Sequence, residues 1–311
     1  MSAIANDLYP QLSSSGVALD ISEDSFGELR SSIAIAFDPD ALRTRMLEDG
    51  YLYLPGFLDR PQVQDVRAEL VSRLAAAGVL APGTDPSDAI ANLADKRYFM
   101  PELATQNVAL MDLLYGEDGR LMEFYRELLG GEVRHYDFTW MRAVGPGGAT
   151  HPHCDIVYMG RGTTNLYTAW IPYTDVSWEI GGLMILEGSH KNGTLKNTYG
   201  RKDVDAWCEN RKPAYEGMGR GGNIGAGGRL TDNPARIRTR LGGRWLSAQF
   251  RMGDLLTFPM YTVHASLDNR SDVIRLSSDT RYQLASEPVD ERWVGEKPIG
   301  HGPAAARGMI C

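Results

Sequence analysis

Two histidines and one aspartate are the residues in this sequence whose types and spacing could hold a metal ion. His153 and Asp155 flank Cys154, and side chains two positions apart project to the same face of an extended strand. His264, in the strand-like run Tyr261-Thr-Val-His-Ala-Ser, supplies a third ligand if the two strands are neighbours. Two imidazoles and one carboxylate on one face form the site that non-haem Fe(II) prefers, with positions open for a co-substrate and dioxygen.

The same residues allow other interpretations. A His-x-Asp triplet alone is weak evidence, because an exposed polar strand end has the same pattern. His151 falls on the same face if the strand is regular, so a cupin-type site built from His151, His153 and an acid is an alternative. Cys154 points away from that face and is expected to be a small buried hydrophobe. Three further histidines lack a partner at ligand spacing and are expected to be structural or surface residues: His135, His190 and His301.

Arg275 is a candidate for binding a carboxylate near this site. It follows His264 across the turn-forming run Leu-Asp-Asn-Arg-Ser-Asp at 267–272. A hairpin at this turn would return the guanidinium toward the same cavity. The planar guanidinium donates two parallel hydrogen bonds to a carboxylate, so Arg275 is predicted to clamp an anionic co-substrate.

The elements that must position these residues change type along the chain. Helical periodicity and capping signals predict helices in the front third, at about 38–50, 61–77, 107–115 and 120–129, with a strand near 51–58. Beyond Glu132, β-branched and aromatic residues predict strands at 133–144, 163–172, 182–186, 245–250, 254–258, 261–267 and 273–282. Helices followed by strands predict an α+β, mainly β, domain in which the helices buttress one sheet of a sandwich or barrel.

Four segments are predicted along the chain. Residues 1–37 are expected to be an N-terminal arm, 38–290 the main domain and 291–311 a C-terminal tail. A long insert at about 191–244 is rich in arginine and has seven glycines between Gly217 and Gly228. Such a loop is either solvated or a lid that recognises an anionic group on the substrate. Its GxGxxG pattern is not preceded by an apolar strand or followed by a helix, which excludes a dinucleotide site.

Composition narrows the class of protein. The 311 residues are 43% hydrophobic and 23% charged, with a net charge of −8, so a nucleic-acid partner is not expected. No stretch approaches the roughly 18 apolar residues that span a membrane, and the amino terminus has no signal-peptide pattern. Three widely spaced cysteines predict neither disulfides nor a zinc site, and a cytoplasmic location is expected. The oligomeric state is left open.

In combination, these residues resemble the phytanoyl-CoA dioxygenase family of 2-oxoglutarate oxygenases over about 38–282. The resemblance implies a double-stranded β-helix of the jelly-roll or cupin-like type. Its parts are the segment Tyr51–Phe57, the His153-x-Asp155 pair, Ala169-Trp170, the run Gly181–Lys191, Gly253-Asp254, and His264 with Ser266 and Arg275.

The resemblance also implies a reaction and roles for the site residues. Fe(II) held by the histidines and aspartate would use 2-oxoglutarate and O₂ to hydroxylate, or otherwise oxidise, a C–H bond of a small organic substrate, releasing succinate and CO₂. Arg275, helped by Ser266, would bind the distal carboxylate of 2-oxoglutarate. Trp170 would line the co-substrate pocket, and Arg142 lies near a position that is often basic in the family.

Two consequences of the resemblance concern the reaction and its alternatives. The Asp155 carboxylate argues against halogenation, because related halogenases have a small residue there. The family spans acyl-CoA esters, amino acids and secondary metabolites, so the fold does not reveal the substrate. The alternative class is a cupin-like non-redox metalloprotein or a catalytically silent binding protein on the same fold.

Overall fold

The two longest α-helices lie in the front third of the chain in the computed structural model, which describes residues 11–95, 98–205 and 228–301. The α-helices in these ranges are α1 (Pro39–Asp49), α2 (Arg60–Ala76), α3 (Val108–Tyr115), α4 (Arg120–Leu129), α5 (Ile156–Met159), α6 (Gly193–Asn197) and α7 (Pro234–Leu241). The four helices predicted from the sequence correspond to α1–α4. No helix within the described ranges is both long enough and apolar enough to cross a membrane.

Capping residues explain where these helices begin and end. The Asp38 carboxylate accepts a hydrogen bond from the Ala41 amide at 3.0 Å, and this satisfies one of the otherwise unpaired amides at the start of α1. Helix α1 ends at Gly50, which has a φ of 75° and therefore favours glycine. A Cβ atom at Gly50 would lie 2.0 Å from Nδ1 of His190, so the side chain of His190 packs directly on this turn.

The remainder of the chain supplies most of the strands. They are β1 (Ser13–Ser14), β2 (Val17–Ala18), β3 (Phe26–Glu28), β4 (Leu52–Leu54), β5 (Val133–His135), β6 (Trp140–Val144), β7 (Leu166–Pro172), β8 (Leu183–Leu186), β9 (Trp245–Ser247), β10 (Leu255–Pro259), β11 (His264–Ser266) and β12 (Arg275–Leu284).

Two sheets face each other. The major sheet has the order β4-β10-β7-β12-β5, with β6 also paired to β12, and the minor sheet has the order β11-β8-β9-β3. The pairings are antiparallel except for β3 with β9. From β7 onward the chain passes repeatedly between the sheets, since β7, β10 and β12 lie in the major sheet while β8, β9 and β11 lie in the minor one. This is a double-stranded β-helix.

Apolar side chains bury both faces of the major sheet. On the outer face Leu54, Ile171 and Leu276 belong to the same core as Leu70 of α2 and Phe124 of α4, so the helices buttress this sheet as predicted. On the inner face a second core fills part of the space between the sheets. It consists chiefly of Trp170, Leu183, Ile185, Phe250, Leu256 and Phe258.

The predicted N-terminal arm is wrong for the part of it that the structure describes. Strand β3 pairs in parallel with β9 as the edge of the minor sheet, and the Ser14 hydroxyl donates to the Ser266 carbonyl oxygen at 2.7 Å. The sequence signal was weak because β1–β3 are only two or three residues long. Residues 11–37 therefore belong to the main domain.

The predicted tail and insert also need correction. Trp293 is 1% exposed, and the Arg292 guanidinium is bonded to Asp205 and Asp290, so residues 291–301 pack on the domain. The described flanks of the insert contain α6 and α7 and contribute Leu195 and Ile237 to a core. The glycine-rich run, on which the lid interpretation depends, lies outside the described residues except for Gly228.

Candidate active site

A backbone pairing brings the two proposed histidine ligands together. His153 and His264 form an isolated antiparallel bridge, in which each amide donates to the other residue's carbonyl oxygen at 3.0 Å. Residues paired in this way project their side chains to the same side, and the two imidazole centroids are 4.1 Å apart. His264 lies on β11, which is held in the minor sheet by β8.

The Asp155 side chain is directed toward the two imidazoles by a backbone conformation that differs from the predicted one. The sequence predicts a regular strand through His153 and Asp155, and this prediction is wrong. Asp155 has a helical backbone, with φ −66° and ψ −25°, and it directly precedes α5. Its Oδ1 atom lies 3.7 Å from Nε2 of His153 and 3.8 Å from Nε2 of His264. The turn into α5, rather than the alternation of a strand, therefore directs the carboxylate toward the imidazoles.

The three side chains have the chemistry of a metal site. Their ligand atoms all lie within 4.8 Å of one another, and they are the one group in the described ranges with this property. Nδ1 of His153 lies 2.7 Å from the His151 carbonyl oxygen, and Nδ1 of His264 lies 3.1 Å from the Thr262 carbonyl oxygen. A carbonyl oxygen can only accept, so Nδ1 carries the proton in each ring and the Nε2 lone pair is available to a metal.

Electrostatics keep these groups in the protonation states that bind metal. Burial, together with the neighbouring His264, lowers the pKa of His153 to about 3. Burial also lowers the pKa of His264. Burial raises the pKa of Asp155, but the Arg281 guanidinium and the two imidazoles outweigh it and hold that pKa well below its usual range. Near neutral pH the site therefore presents two neutral imidazoles and a carboxylate, which are the forms that bind metals.

His151, the residue of the alternative site, lines the same cavity but is not part of the group of three converging ligand atoms. Its Nδ1 atom lies 2.9 Å from the Ser15 hydroxyl and 3.8 Å from a carboxylate oxygen of Asp232, and its side chain is 42% exposed. Cys154, between the two proposed ligands, is fully buried, as expected of a small hydrophobe, and burial raises the pKa of its thiol.

Two of the three remaining histidines have structural surroundings. The His135 ring stacks on Tyr115 with centroids 4.0 Å apart. His190 is 8% exposed, and its Nε2 lies 3.2 Å from the Leu47 carbonyl oxygen. His301 differs, because it lines the cavity beside the proposed metal ligands His153 and Asp155. The sequence carries no spacing signal for His301, since its neighbours in space are distant in the chain.

Arg275 is buried inside the barrel at the start of β12, with 1% of its surface exposed. Its guanidinium donates to the Gly181 carbonyl oxygen and, at 3.3 Å, to the Ser266 hydroxyl. The Nε atom is buried without a hydrogen-bond partner in the described residues, as is the hydroxyl of Ser277 two positions along the same strand face. Burial and the nearby Arg142 lower the pKa of Arg275 to about 10. Arg275 thus stays charged near neutral pH.

The predicted hairpin between His264 and Arg275 is wrong in one respect. Strand β11 lies in the minor sheet and β12 in the major sheet, so the connection crosses from one sheet to the other. Asn269 secures this crossing by donating to the carbonyl oxygens of Val144 and Val273, at 2.9 and 2.7 Å. Arg275 still points into the interior.

Arg142 and Trp170 differ in their position relative to the cavity. Arg142 lines the cavity next to His153 and Asp155, and its Nε donates to an Asp279 carboxylate oxygen at 2.5 Å. Trp170 is 1% exposed and packs edge-on against Phe250, with ring centroids 4.8 Å apart. Trp170 does not line this cavity, and neither do Arg275 and Ser266, so its place at the co-substrate pocket stays a prediction.

The cavity beside His153 and Asp155 has a volume of about 230 Å³. Trp140, Tyr158 and Met159 form its less polar walls, while Arg229 and Arg281 add positive charge. A larger cleft of about 1200 Å³ runs along residues 55–61 and 249–252. None of the three proposed metal ligands lines that cleft, so we place the chemistry at the smaller cavity.

Sequence reasoning missed one charged residue at the centre of this site. Arg281 lies on β12, and its Nη2 is 3.0 Å from Oδ2 of Asp155. A signal for it existed, because alternate residues of β12 from Arg275 to Gln283 are all polar, although every one of them is buried. Polar side chains at alternate positions of a buried strand indicate a functional interior.

The fold and the site together define a non-haem iron, 2-oxoglutarate-dependent oxygenase. Solved structures agree on the fold. The apo form of EctD from S. alaskensis is 16% identical, with a TM-score of 0.55, and the match covers 92% of this chain and 90% of that chain. The α-ketoglutarate-dependent epimerase SnoN from nogalamycin biosynthesis is 19% identical, with a TM-score of 0.54, and the match covers 85% and 93%.

Sequence comparison identifies the family. The profile of the phytanoyl-CoA dioxygenase (PhyH) family matches residues 46–277, and this chain belongs to that family. It is similar to a 1-deoxypentalenic acid 11-beta-hydroxylase of Streptomyces arenae, at 28% identity over 284 residues, which are 85% of this chain and 87% of the relative. The enzyme of the same name from Streptomyces exfoliatus is 29% identical over 260 residues, covering 80% and 82%.

These comparisons confirm the predicted fold and enzyme class. The protein is an Fe(II)- and 2-oxoglutarate-dependent dioxygenase that acts on a small molecule.

Proposed function

We propose that this enzyme hydroxylates a C–H bond of a compact organic acid, and that His153, Asp155 and His264 hold its iron. One observation carries the metal assignment. Three buried ligand atoms converge within 4.8 Å, and both imidazoles are oriented by a backbone carbonyl at Nδ1. When bound, the iron supplies the activation of O₂ by which 2-oxoglutarate becomes succinate and CO₂ and the substrate C–H bond becomes C–OH.

The residues on β11 and β12 are proposed to hold 2-oxoglutarate. Arg275 and Ser266 are already in contact, and the buried Nε of Arg275 and hydroxyl of Ser277 have no partner in the described ranges. An unpaired buried polar group is costly, so a ligand carboxylate would satisfy both. Arg142 is paired with Asp279, and its proposed part is to add positive charge near the dianionic co-substrate.

The substrate is proposed to combine an apolar body with a carboxylate. Trp140, Tyr158 and Met159 present apolar surface to the cavity, and its wall also carries the Arg229 guanidinium, which forms an ion pair with Asp232. The two curated relatives are named for oxidation of 1-deoxypentalenic acid, which is a carboxylic acid. The cavity of about 230 Å³ fits a small rigid molecule better than an extended chain. A cytoplasmic location remains our proposal, on the basis of the three unpatterned cysteines.

Co-substrate turnover tests this proposal directly. Purified enzyme with Fe(II), 2-oxoglutarate and O₂ is incubated with a panel of small polycyclic carboxylic acids and with their methyl esters. We expect acids of suitable shape to stimulate succinate formation and to gain one oxygen atom by mass spectrometry. Equal stimulation by the esters would contradict an anionic substrate. Absence of 2-oxoglutarate consumption under all conditions would instead favour a non-redox metalloprotein.

A further inference from the structure

The two oxygens of the Asp155 carboxylate have different surroundings. Oδ1 is the atom that lies 3.7 and 3.8 Å from the two imidazole Nε2 atoms. Oδ2 accepts a hydrogen bond from the Thr168 hydroxyl and lies 3.0 Å from Nη2 of Arg281. One oxygen therefore faces the metal-binding position, and the other is occupied by the protein.

The two groups that bind Oδ2 come from one point of the major sheet. Arg281 of β12 and Thr168 of β7 are directly opposite each other in the antiparallel register. Paired positions project to the same side of a sheet, so both side chains reach up to the same carboxylate oxygen. They are 2% and 1% exposed, so water has little access to replace them.

Arg281 is itself held in place by further contacts. Its Nη1 donates to the Thr280 carbonyl oxygen at 3.2 Å, and its Nε lies 3.1 Å from the sulfur of Met159. The guanidinium carbon lies 4.7 Å from the ring centroid of Trp140, a distance at which a cation is attracted to the aromatic face. The guanidinium is thus restrained on several sides while one Nη atom faces Asp155.

We propose that Arg281 is a positioning residue that, with Thr168, restricts Asp155 to binding the iron through Oδ1 alone. This inference rests on the proposed metal site. A carboxylate free to turn could bind with both oxygens and take a fourth coordination position. The keto acid needs two open positions and O₂ needs one, so single-oxygen binding by Asp155 keeps the count of open positions at three.

Cobalt binding tests the inference without depending on turnover. We would titrate the metal-free protein with Co(II) and record its visible absorption, whose intensity reports coordination number. The variants are Arg281→Met, which removes the charge and the donors, Arg281→Lys, which keeps the charge, and Thr168→Val, which removes one hydroxyl at nearly constant volume. Loss of a group that orients a metal ligand typically weakens metal binding by about 10- to 100-fold.

We expect Arg281→Met to weaken Co(II) binding by that factor and to change the spectrum. Arg281→Lys should recover only part of the lost affinity, because an ammonium lacks the planar fork of a guanidinium. Thr168→Val should also weaken Co(II) binding, but by a smaller factor than Arg281→Met. The matched control is Arg292→Met, since Arg292 is also buried and bonded to carboxylates but, within the described part of the chain, forms no hydrogen bond or ion pair with a proposed metal ligand. It should lower the melting temperature and leave the Co(II) affinity and spectrum unchanged.

The reference variant Asp155→Ala separates the two possible failures. If Asp155→Ala loses Co(II) binding while Arg281→Met and Thr168→Val bind with wild-type affinity and spectrum, the positioning role is overturned and the metal site stands. If Asp155→Ala binds Co(II) as tightly as the wild type, the proposed metal site itself is wrong. If Arg281→Met does not fold, Thr168→Val decides the outcome alone.

Discussion

The space between the two sheets divides into an apolar half and a polar half. The apolar half consists of Trp170, Leu183, Ile185, Phe250, Leu256 and Phe258. The polar half consists of Arg142, Asp155, Arg275, Asp279 and Arg281, which are all buried or nearly so. Both halves are formed by inward-facing residues, so the difference lies in side-chain chemistry and not in the backbone.

This difference shows where the fold accepts an energetic cost. Burial of apolar side chains stabilises the folded state by roughly 25 cal/mol for each Å² removed from water. Burial of a charge costs several kcal/mol unless it is well paired. The polar half pairs Arg281 with Asp155 and Arg142 with Asp279, yet it leaves Arg275 Nε and Ser277 Oγ without partners in the described residues. Charges retained at such a cost indicate a ligand-binding interior.

The largest effect should come from removing a metal ligand in the polar half. We expect His153→Ala, Asp155→Ala and His264→Ala each to lose iron and to abolish succinate formation, because two remaining ligands cannot hold a facial Fe(II) site. Iron content of the purified protein and succinate yield measure the two effects. Circular dichroism establishes that each variant is folded.

The matched control for that experiment is His151→Ala. His151 is adjacent in sequence to the proposed ligands but directs its Nδ1 toward Ser15, so this variant should retain iron. Retained iron and activity in His264→Ala would contradict the central assignment. Loss of iron in His151→Ala would support the cupin-type alternative, in which His151 is a metal ligand.

A smaller effect is expected from substitution of Arg275, the residue of the polar half that is proposed to bind the co-substrate. Arg275→Ala should raise the KM for 2-oxoglutarate at least about tenfold, since a hydrogen bond between charged groups contributes about 1.5–3 kcal/mol. Arg275→Lys should restore part of this affinity, because it keeps the charge without the planar fork. Saturation curves for 2-oxoglutarate provide the measurement. An unchanged KM in Arg275→Ala would mean that another residue binds the distal carboxylate of 2-oxoglutarate.

Local signals explain why much of this architecture could be predicted from the sequence. Asp38 and Gly50 mark the ends of α1 through capping chemistry that acts within a few residues, and the apolar periodicity of α2 reflects its contact with one sheet. His153, Asp155 and His264 were found because their types are rare and their spacing is suggestive. Arg275 was proposed because a planar guanidinium suits the binding of a carboxylate, and this role stays a prediction.

The features that were missed depend on contacts between distant parts of the chain. Asp155 owes its orientation to the turn into α5 and to the backbone bridge between His153 and His264, neither of which has a periodic signal. Strand β3 is too short to show alternation, and its pairing with β9 is a tertiary event. Arg281 was overlooked because a buried arginine is unusual, and only the facing strand reveals its partner.

The smallest effect on catalysis should come from the apolar half, where a large change in stability is expected instead. Phe250 is 1% exposed and packs against Trp170 and Tyr53, with ring centroids 4.8 and 5.4 Å apart. Truncating a buried phenylalanine leaves a cavity and typically costs about 3–5 kcal/mol. We therefore expect Phe250→Ala to lower the free energy of unfolding by that amount, as measured by denaturant titration of the metal-free protein.

In the fraction that remains folded, the same variant should bind Co(II) and 2-oxoglutarate within about twofold of the wild type, because the aromatic ring contacts of Phe250 in the described ranges are with Tyr53 and Trp170 and not with a proposed metal ligand. Phe37→Ala is the matched control, since Phe37 is 80% exposed and contacts the Arg120 guanidinium only at 5.6 Å. The Phe37→Ala substitution should lower the free energy of unfolding by less than about 1 kcal/mol. If Phe250→Ala raised the KM for 2-oxoglutarate as much as Arg275→Ala does, the two halves would be coupled, and the separation of stability from chemistry drawn from their composition would be wrong.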